Sequence, residues 1–110
     1  MSMTGDLLRG HTEAILLAQL LKQDSYGYEI IKHIAQLTGG TLELKEATLY
    51  TAFRRLEAAG LIASYWSSSA SGTRRRYYTL TPQGREAHAR QVREWEQTRA
   101  ILDRLLEDPE

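Results

Sequence analysis

Two sets of residues in this 110-residue chain have the types and spacing for binding chemistry. The first is cationic. Lys45, Arg54, Arg55, Arg74, Arg75 and Arg76 fall between positions 45 and 76, where only Glu46 and Glu57 oppose them, while the segments on either side are net acidic. The whole chain balances 14 basic against 14 acidic residues, so any basic surface is local and global charge attracts neither nucleic acid nor an anionic membrane. Cations gathered on one supersecondary unit are the footprint of a nucleic-acid reader, the alternative being a solvated basic hairpin. The second set surrounds Trp95, a large aromatic on a long C-terminal segment. It fits either an anchor at the centre of a subunit interface or one wall of an apolar ligand slot.

Other chemistries lack their parts. The chain has no cysteine, which removes disulfides, thiol catalysis and cysteine-based zinc sites. His11, His33 and His88 do not have metal-ligand spacing; His11 and His88 could approach each other across a dimer, but isolated histidines of this kind fit packing or surface positions better. No nucleophile with a base and an orienting partner, no phosphate-cradling glycine loop and no paired-carboxylate site is present, so we expect no enzymatic activity, no metal and no cofactor. The longest apolar run, Ala14 to Ala18, is far short of the roughly 18 residues of a membrane helix, and the first six residues lack the features of a secretion signal. The expectation is a cytoplasmic protein without a membrane partner.

The elements that must position these residues are legible in the apolar spacing. Leu7 to Lys22 reads as one helix with two apolar stripes: Leu7, Gly10, Ala14, Leu17 and Leu21, and beside them Leu8, Ile15, Leu16 and Leu20. A helix apolar on two sides is buried on two sides, and a second copy of the chain is the simplest second neighbour. Asp24-Ser25 offers a cap for a second helix from Tyr26 to about Leu37, which Gly39-Gly40 ends. A third helix from Glu46 to Ala59 buries Leu49, Phe53 and Leu56. Its opposite face then carries Ala47, Thr51, Arg54 and Ala58, flanked by Thr48 and Arg55 on one side and Tyr50 on the other. Leu61 to Trp66 and Arg74 to Leu80 form a hairpin across a serine-rich loop. Thr81 caps, and Pro82 opens, a last helix of about 25 residues. On it His88, Trp95 and Leu102 recur every seven residues, with Gln91, Thr98 and Leu105 between them and Val92, Arg99 and Leu106 alongside, as in a helix-pairing seam.

Three helices followed by a two-stranded hairpin is the order of a winged helix-turn-helix, whose third helix enters the major groove while the hairpin touches neighbouring phosphate. The expected fold is therefore mainly α with a small β-hairpin: residues 1–81 as the DNA-binding domain, its first helix shared with the dimer interface, and residues 82–110 as a dimerisation helix. On that fold Thr51 and Arg54 project furthest from the core towards base edges, Arg being able to bridge guanine O6 and N7. Thr48, Tyr50, Arg55 and Lys45 are placed for phosphates. At most two of Arg74, Arg75 and Arg76 can point the same way from a strand; one packs near Trp66 or forms a structural ion pair, and the others bind phosphate. Tyr77 and Tyr78 suit hairpin packing better than base stacking.

The residues also carry a family resemblance. Glu46-Ala47-Thr48-Leu49-Tyr50, Arg55-Leu56-Glu57-Ala58-Ala59-Gly60-Leu61-Ile62 and Arg75-Arg76-Tyr77-Tyr78-Thr79-Leu80-Thr81-Pro82-Gln83-Gly84 resemble the signature of PadR-type transcriptional regulators, and Ser25-Tyr26-Gly27-Tyr28-Glu29-Ile30 is similar to the start of that family's second helix. The single C-terminal helix is similar to the short subfamily that includes multidrug-binding repressors. The resemblance implies a homodimeric repressor on an inverted-repeat operator, relieved by a planar aromatic molecule held between Trp95 and its symmetry mate, with a transporter gene as target. Leu7, Gly10, Ala14, Leu17, Gln91, Val92 and Arg99 would complete that slot, Gly10 and Ala14 leaving room where leucine would close it. Multidrug-binding relatives tend to place acids near the pore, whereas Arg99 lies one turn from Trp95 and only Glu13 and Glu96 are near to compensate, so the ligand's charge stays open. The competing class is a winged-helix interaction module that reads no DNA; the cations between 45 and 76 and the Thr51–Arg54 face favour the DNA reader.

Overall fold

A computed structural model describes residues 3–68 and 70–107. Seven elements follow in order: α1 (Met3–Arg9), α2 (Thr12–Lys22), α3 (Gly27–Leu37), α4 (Glu46–Ala58), β1 (Ile62–Ser68), β2 (Arg74–Leu80) and α5 (Pro82–Glu107).

The single first helix expected from Leu7 to Lys22 is two helices. At Gly10 and His11 the chain closes a turn through Gly10 N–H to Leu7 O and His11 N–H to Leu8 O, and the Thr12 hydroxyl donates to the Arg9 carbonyl at 2.7 Å. Glycine disfavours the helix interior, and a threonine hydroxyl offers the carbonyl a competing partner, which is why the ladder stops here. The break also divides the apolar stripe. Leu17 is fully buried in the core, whereas Leu7 stands 66% exposed on α1.

The start of α3 is a second departure. Neither Asp24 nor Ser25 caps it; Tyr26 occupies the cap position in extended backbone without a side-chain hydrogen bond. Ser25 pairs instead with Tyr78, exchanging both backbone hydrogen bonds across an isolated bridge, while its hydroxyl donates to Glu29. Asp24 accepts a hydrogen bond from the Tyr65 phenol at 2.6 Å. The segment before α3 is thus tied to the hairpin. Gly39 and Gly40, at φ +57° and +84°, end α3 as the sequence implies.

The core lies where α2, α3 and α4 meet the base of the hairpin. Leu16, Leu17, Ile30, Leu49, Phe53 and Leu56 are its most deeply buried side chains along with Leu42, and the Tyr78 ring stacks on Phe53 at 4.0 Å. The antiparallel register runs from Ile62 opposite Leu80 to Ser68 opposite Arg74. Strand alternation therefore puts Leu80, Tyr78, Arg76 and Arg74 on the core side and Thr79, Tyr77 and Arg75 on the other. The first strand begins and ends later than its apolar run suggests; the second has the expected bounds.

Thr81 locks α5 to this unit. Its hydroxyl accepts from Gly84 N–H at 3.0 Å and donates to the Gly60 carbonyl at 2.7 Å. Gly84 passes so close to the Leu61 carbonyl that a Cβ there would lie 2.1 Å from its oxygen. Only Gly84 and Ala87 of α5 are buried, and every residue from Val92 to Glu107 is exposed. The projecting helix stretches the molecule to 61 × 31 × 21 Å with a radius of gyration of 15.9 Å, against about 13 Å for a compact chain of this length.

Candidate nucleic-acid interface

The outward face of α4 is built by what its inward face buries. Leu49, Ala52, Phe53 and Leu56 point into the core, leaving Ala47, Thr48, Thr51, Arg54, Arg55 and Ala58 exposed. Arg54 donates to the Thr51 hydroxyl at 3.3 Å, so these two side chains share one patch. Lys45 is exposed at the cap position of the same helix. Arg55 is already engaged, its guanidinium 2.6 Å from the Glu13 carboxylate on α2. Tyr50 is 38% exposed, but its ring meets Phe53 edge-on at 6.0 Å and its hydroxyl lies over Gly27, where a Cβ would come within 2.5 Å of it. Gly27 thus lets α4 seat closely against the start of α3.

Each arginine of the hairpin rests on an aromatic ring. Arg74 lies 5.2 Å from the Trp66 centroid, Arg75 4.4 Å from Tyr26 and Arg76 5.6 Å from Tyr78. Arg76 is further held by the Ser64 hydroxyl and by Glu57 at 3.5 Å, which ties the wing to the end of α4. Arg74 and Arg76 share a face and Arg75 takes the other, stacked near the Tyr26–Tyr77 and Tyr65–Tyr77 ring pairs. A guanidinium positioned over a ring has its orientation narrowed in advance, so it loses less rotamer entropy on meeting a phosphate. The hydrogen bond to Asp24 raises the Tyr65 pKa above the ordinary value of 10.0, and burial does the same for Tyr78.

Beside the exposed face of α4 lies a groove of about 1330 Å³ between α1, α2, α4 and α5. Leu7, Gly10, Ala14, Gln91, Val92 and Trp95 line it, all expected at a ligand slot. Leu17 does not, because it is core, and Arg99 is exposed further along α5, outside the lining. His11 packs edge-on to Trp95 at 5.6 Å within one chain, a contact created by the turn at Gly10 and so hidden while that stretch reads as continuous helix. The Gln91 side-chain oxygen is buried there and is the one such atom among the described residues without a hydrogen-bond partner. Thr48, Thr51 and Arg55 of α4 line the same groove, which spacing along either helix alone does not reveal. Among the described residues no three His, Cys, Asp or Glu side chains could hold a metal ion, and no helix is long and apolar enough to cross a membrane.

A helix-turn-helix followed by an arginine-bearing wing defines a winged-helix DNA-binding regulator. The profile of the transcriptional regulator PadR-like family matches residues 16–90, and the chain belongs to that family. It is 38% identical over 102 residues to an uncharacterised protein of Lysinibacillus sphaericus, covering 93% of this chain and 94% of that one. Its fold is similar to a transcriptional regulator from Clostridium thermocellum, with a TM-score of 0.82 at 40% identity over 93% of this chain and 99% of the other. It is also similar to a PadR family regulator from Eggerthella lenta, with a TM-score of 0.83 at 32% identity over 96% and 90% of the two chains. The family decides between the two classes left open by the sequence in favour of DNA-binding transcriptional regulation.

Proposed function

We propose that the protein acts as a homodimeric repressor on an inverted-repeat operator and that a planar aromatic molecule relieves repression by binding at the dimer centre. The observation that carries this reading is the uncovered half of α5. From Val92 onward every described residue is exposed; apart from the edge-on contact of His11 with Trp95, its large apolar side chains Trp95, Ile101, Leu102, Leu105 and Leu106 stay at 41–79% exposure. Apolar surface of this extent on one helix calls for a partner, and α1 and α2 of a second copy supply the matching apolar residues around Leu7 and Ala14. Two-fold symmetry then places one α4 in each half-site, the half-site centres about one helical turn apart on B-form DNA.

In this dimer the half-exposed Trp95, its symmetry mate and the apolar groove form the slot for a flat aromatic compound, and the regulated gene encodes a transporter for that compound. Thr81 joins α5 rigidly to the wing, so a ligand that separates the two copies of α5 alters the spacing of the recognition helices. The ligand shifts DNA affinity only by its preference for the wide over the narrow dimer, about 1–3 kcal/mol in typical couplings. The test is a band-shift with DNA upstream of the protein's own gene. Arg54→Ala should erase much of the discrimination between operator and random duplex, whereas Arg74→Ala should weaken both and flatten the salt dependence. Planar dyes should quench Trp95 fluorescence in a Trp66→Phe background and loosen the operator complex. Unchanged binding in both arginine variants would overturn the DNA surface, and unchanged dye affinity in Trp95→Ala would overturn the slot.

A further inference from the structure

The ion pair between Glu13 and Arg55 joins residues 42 positions apart and bridges α2 to the recognition helix at 2.6 Å. Both side chains line the groove beside the exposed face of α4, together with Thr48 and Thr51. The guanidinium is 67% exposed and the carboxylate 35%, so solvent and a DNA backbone can reach the pair. Arg54, its neighbour, donates to the Thr51 hydroxyl at 3.3 Å and among the described residues has no carboxylate partner. Two adjacent arginines on one helix are therefore in different electrostatic states before DNA arrives.

We infer that Glu13 is an affinity-limiting residue: it holds Arg55 neutralised in the free protein and must give it up to a DNA phosphate on binding. A guanidinium engaged by a carboxylate cannot offer the same donors to a phosphate, and an exposed pair contributes little net stability, so the exchange is feasible. It is not free, because Glu13 loses the charge-assisted hydrogen bond that it accepts from Arg55 in the free protein. The inference rests on α4 being the DNA-reading helix. It differs from the operator reading in being independent of sequence, since the group gained is a phosphate contact.

The experiment compares wild type, Glu13→Gln, Arg55→Gln and the double variant for binding to operator and to random duplex across a salt series, with thermal unfolding run in parallel. Glu13→Gln should tighten both duplexes by about three- to tenfold and steepen the salt dependence by close to one phosphate contact. In the Arg55→Gln background the same change should shift affinity by less than about twofold. Equal tightening in both backgrounds would show simple repulsion by Glu13 and overturn the inference. Unchanged or weakened binding by a stably folded Glu13→Gln protein would overturn it too, by showing that Glu13 is inert or braces α4 for binding. If Glu13→Gln lowers the melting temperature, Glu13→Ala must tighten random duplex at a temperature where it is fully folded, or the inference falls. Loss of operator discrimination in the wild type would remove the operator reading while leaving this comparison intact on random duplex. Failure of the wild type to bind either duplex would overturn both.

Discussion

The winged-helix half and the outer half of α5 solve the same problem differently. Between Leu16 and Leu80 the apolar residues bury one another: Phe53 stacks on Tyr78, Leu49 and Leu56 seat α4, and Ser25 stitches the α3 entry to β2. From Val92 to Glu107 apolar residues are just as regularly spaced, yet all are exposed. Apolar patterning is the same signal in both places, but only the first is buried within its own chain. The first region should fold by its own core, and the second should be stabilised only by association.

The strongest way to break this contrast is Phe53→Ala. Removing a fully buried ring that stacks on Tyr78 should cost about 3–5 kcal/mol, lowering the melting temperature of the winged helix sharply in a calorimetric scan. Leu102→Asp should do the reverse, leaving the core intact while placing an unpaired charge in the helix seam. We expect a loss of about 2–3 kcal/mol in dimerisation, read as a thirtyfold or greater rise in the dimer dissociation constant by sedimentation, with near-native circular dichroism. Gly84→Ala probes the joint between the regions. Its Cβ would collide with the Leu61 carbonyl, 2.1 Å away, so α5 must tilt from the hairpin at a cost of about 1–3 kcal/mol, measurable in chemical denaturation.

The smallest effect concerns the strap from α3 to the wing. The Tyr65 phenol has a raised pKa because it donates to Asp24, so the folded protein keeps a proton that the unfolded chain releases. Its contribution is complete below the ordinary tyrosine value of 10.0 and is lost as pH rises through the higher folded value. Tyr65→Phe should abolish that alkaline component while costing less than about 1 kcal/mol at neutral pH, since the pair is exposed.

Much of this was legible in the sequence, for reasons that differ by element. Leu49, Phe53 and Leu56 announce the buried stripe of α4 and so fix its outward face, and Thr81-Pro82 marks the start of α5 because cap chemistry is local. What escaped depends on distant partners. Whether Ser25 caps a helix or pairs with Tyr78 is decided by the return of a strand more than fifty residues later. Leu7 and Leu17 share the expected helical stripe, but one is exposed beside the groove and the other enters the core, because the turn at Gly10 divides that stripe between two helices. The rings beneath Arg74, Arg75 and Arg76 and the carboxylate beside Arg55 follow from hairpin register and helix packing, which spacing along a single element does not encode.

Sedimentation equilibrium of the wild-type chain at micromolar concentration tests the central claim most directly. It should show a single species of about 25 kDa, twice the 12.5 kDa chain, that falls to one chain mass in Leu102→Asp. A wild-type protein that stays at 12.5 kDa across that range would contradict it.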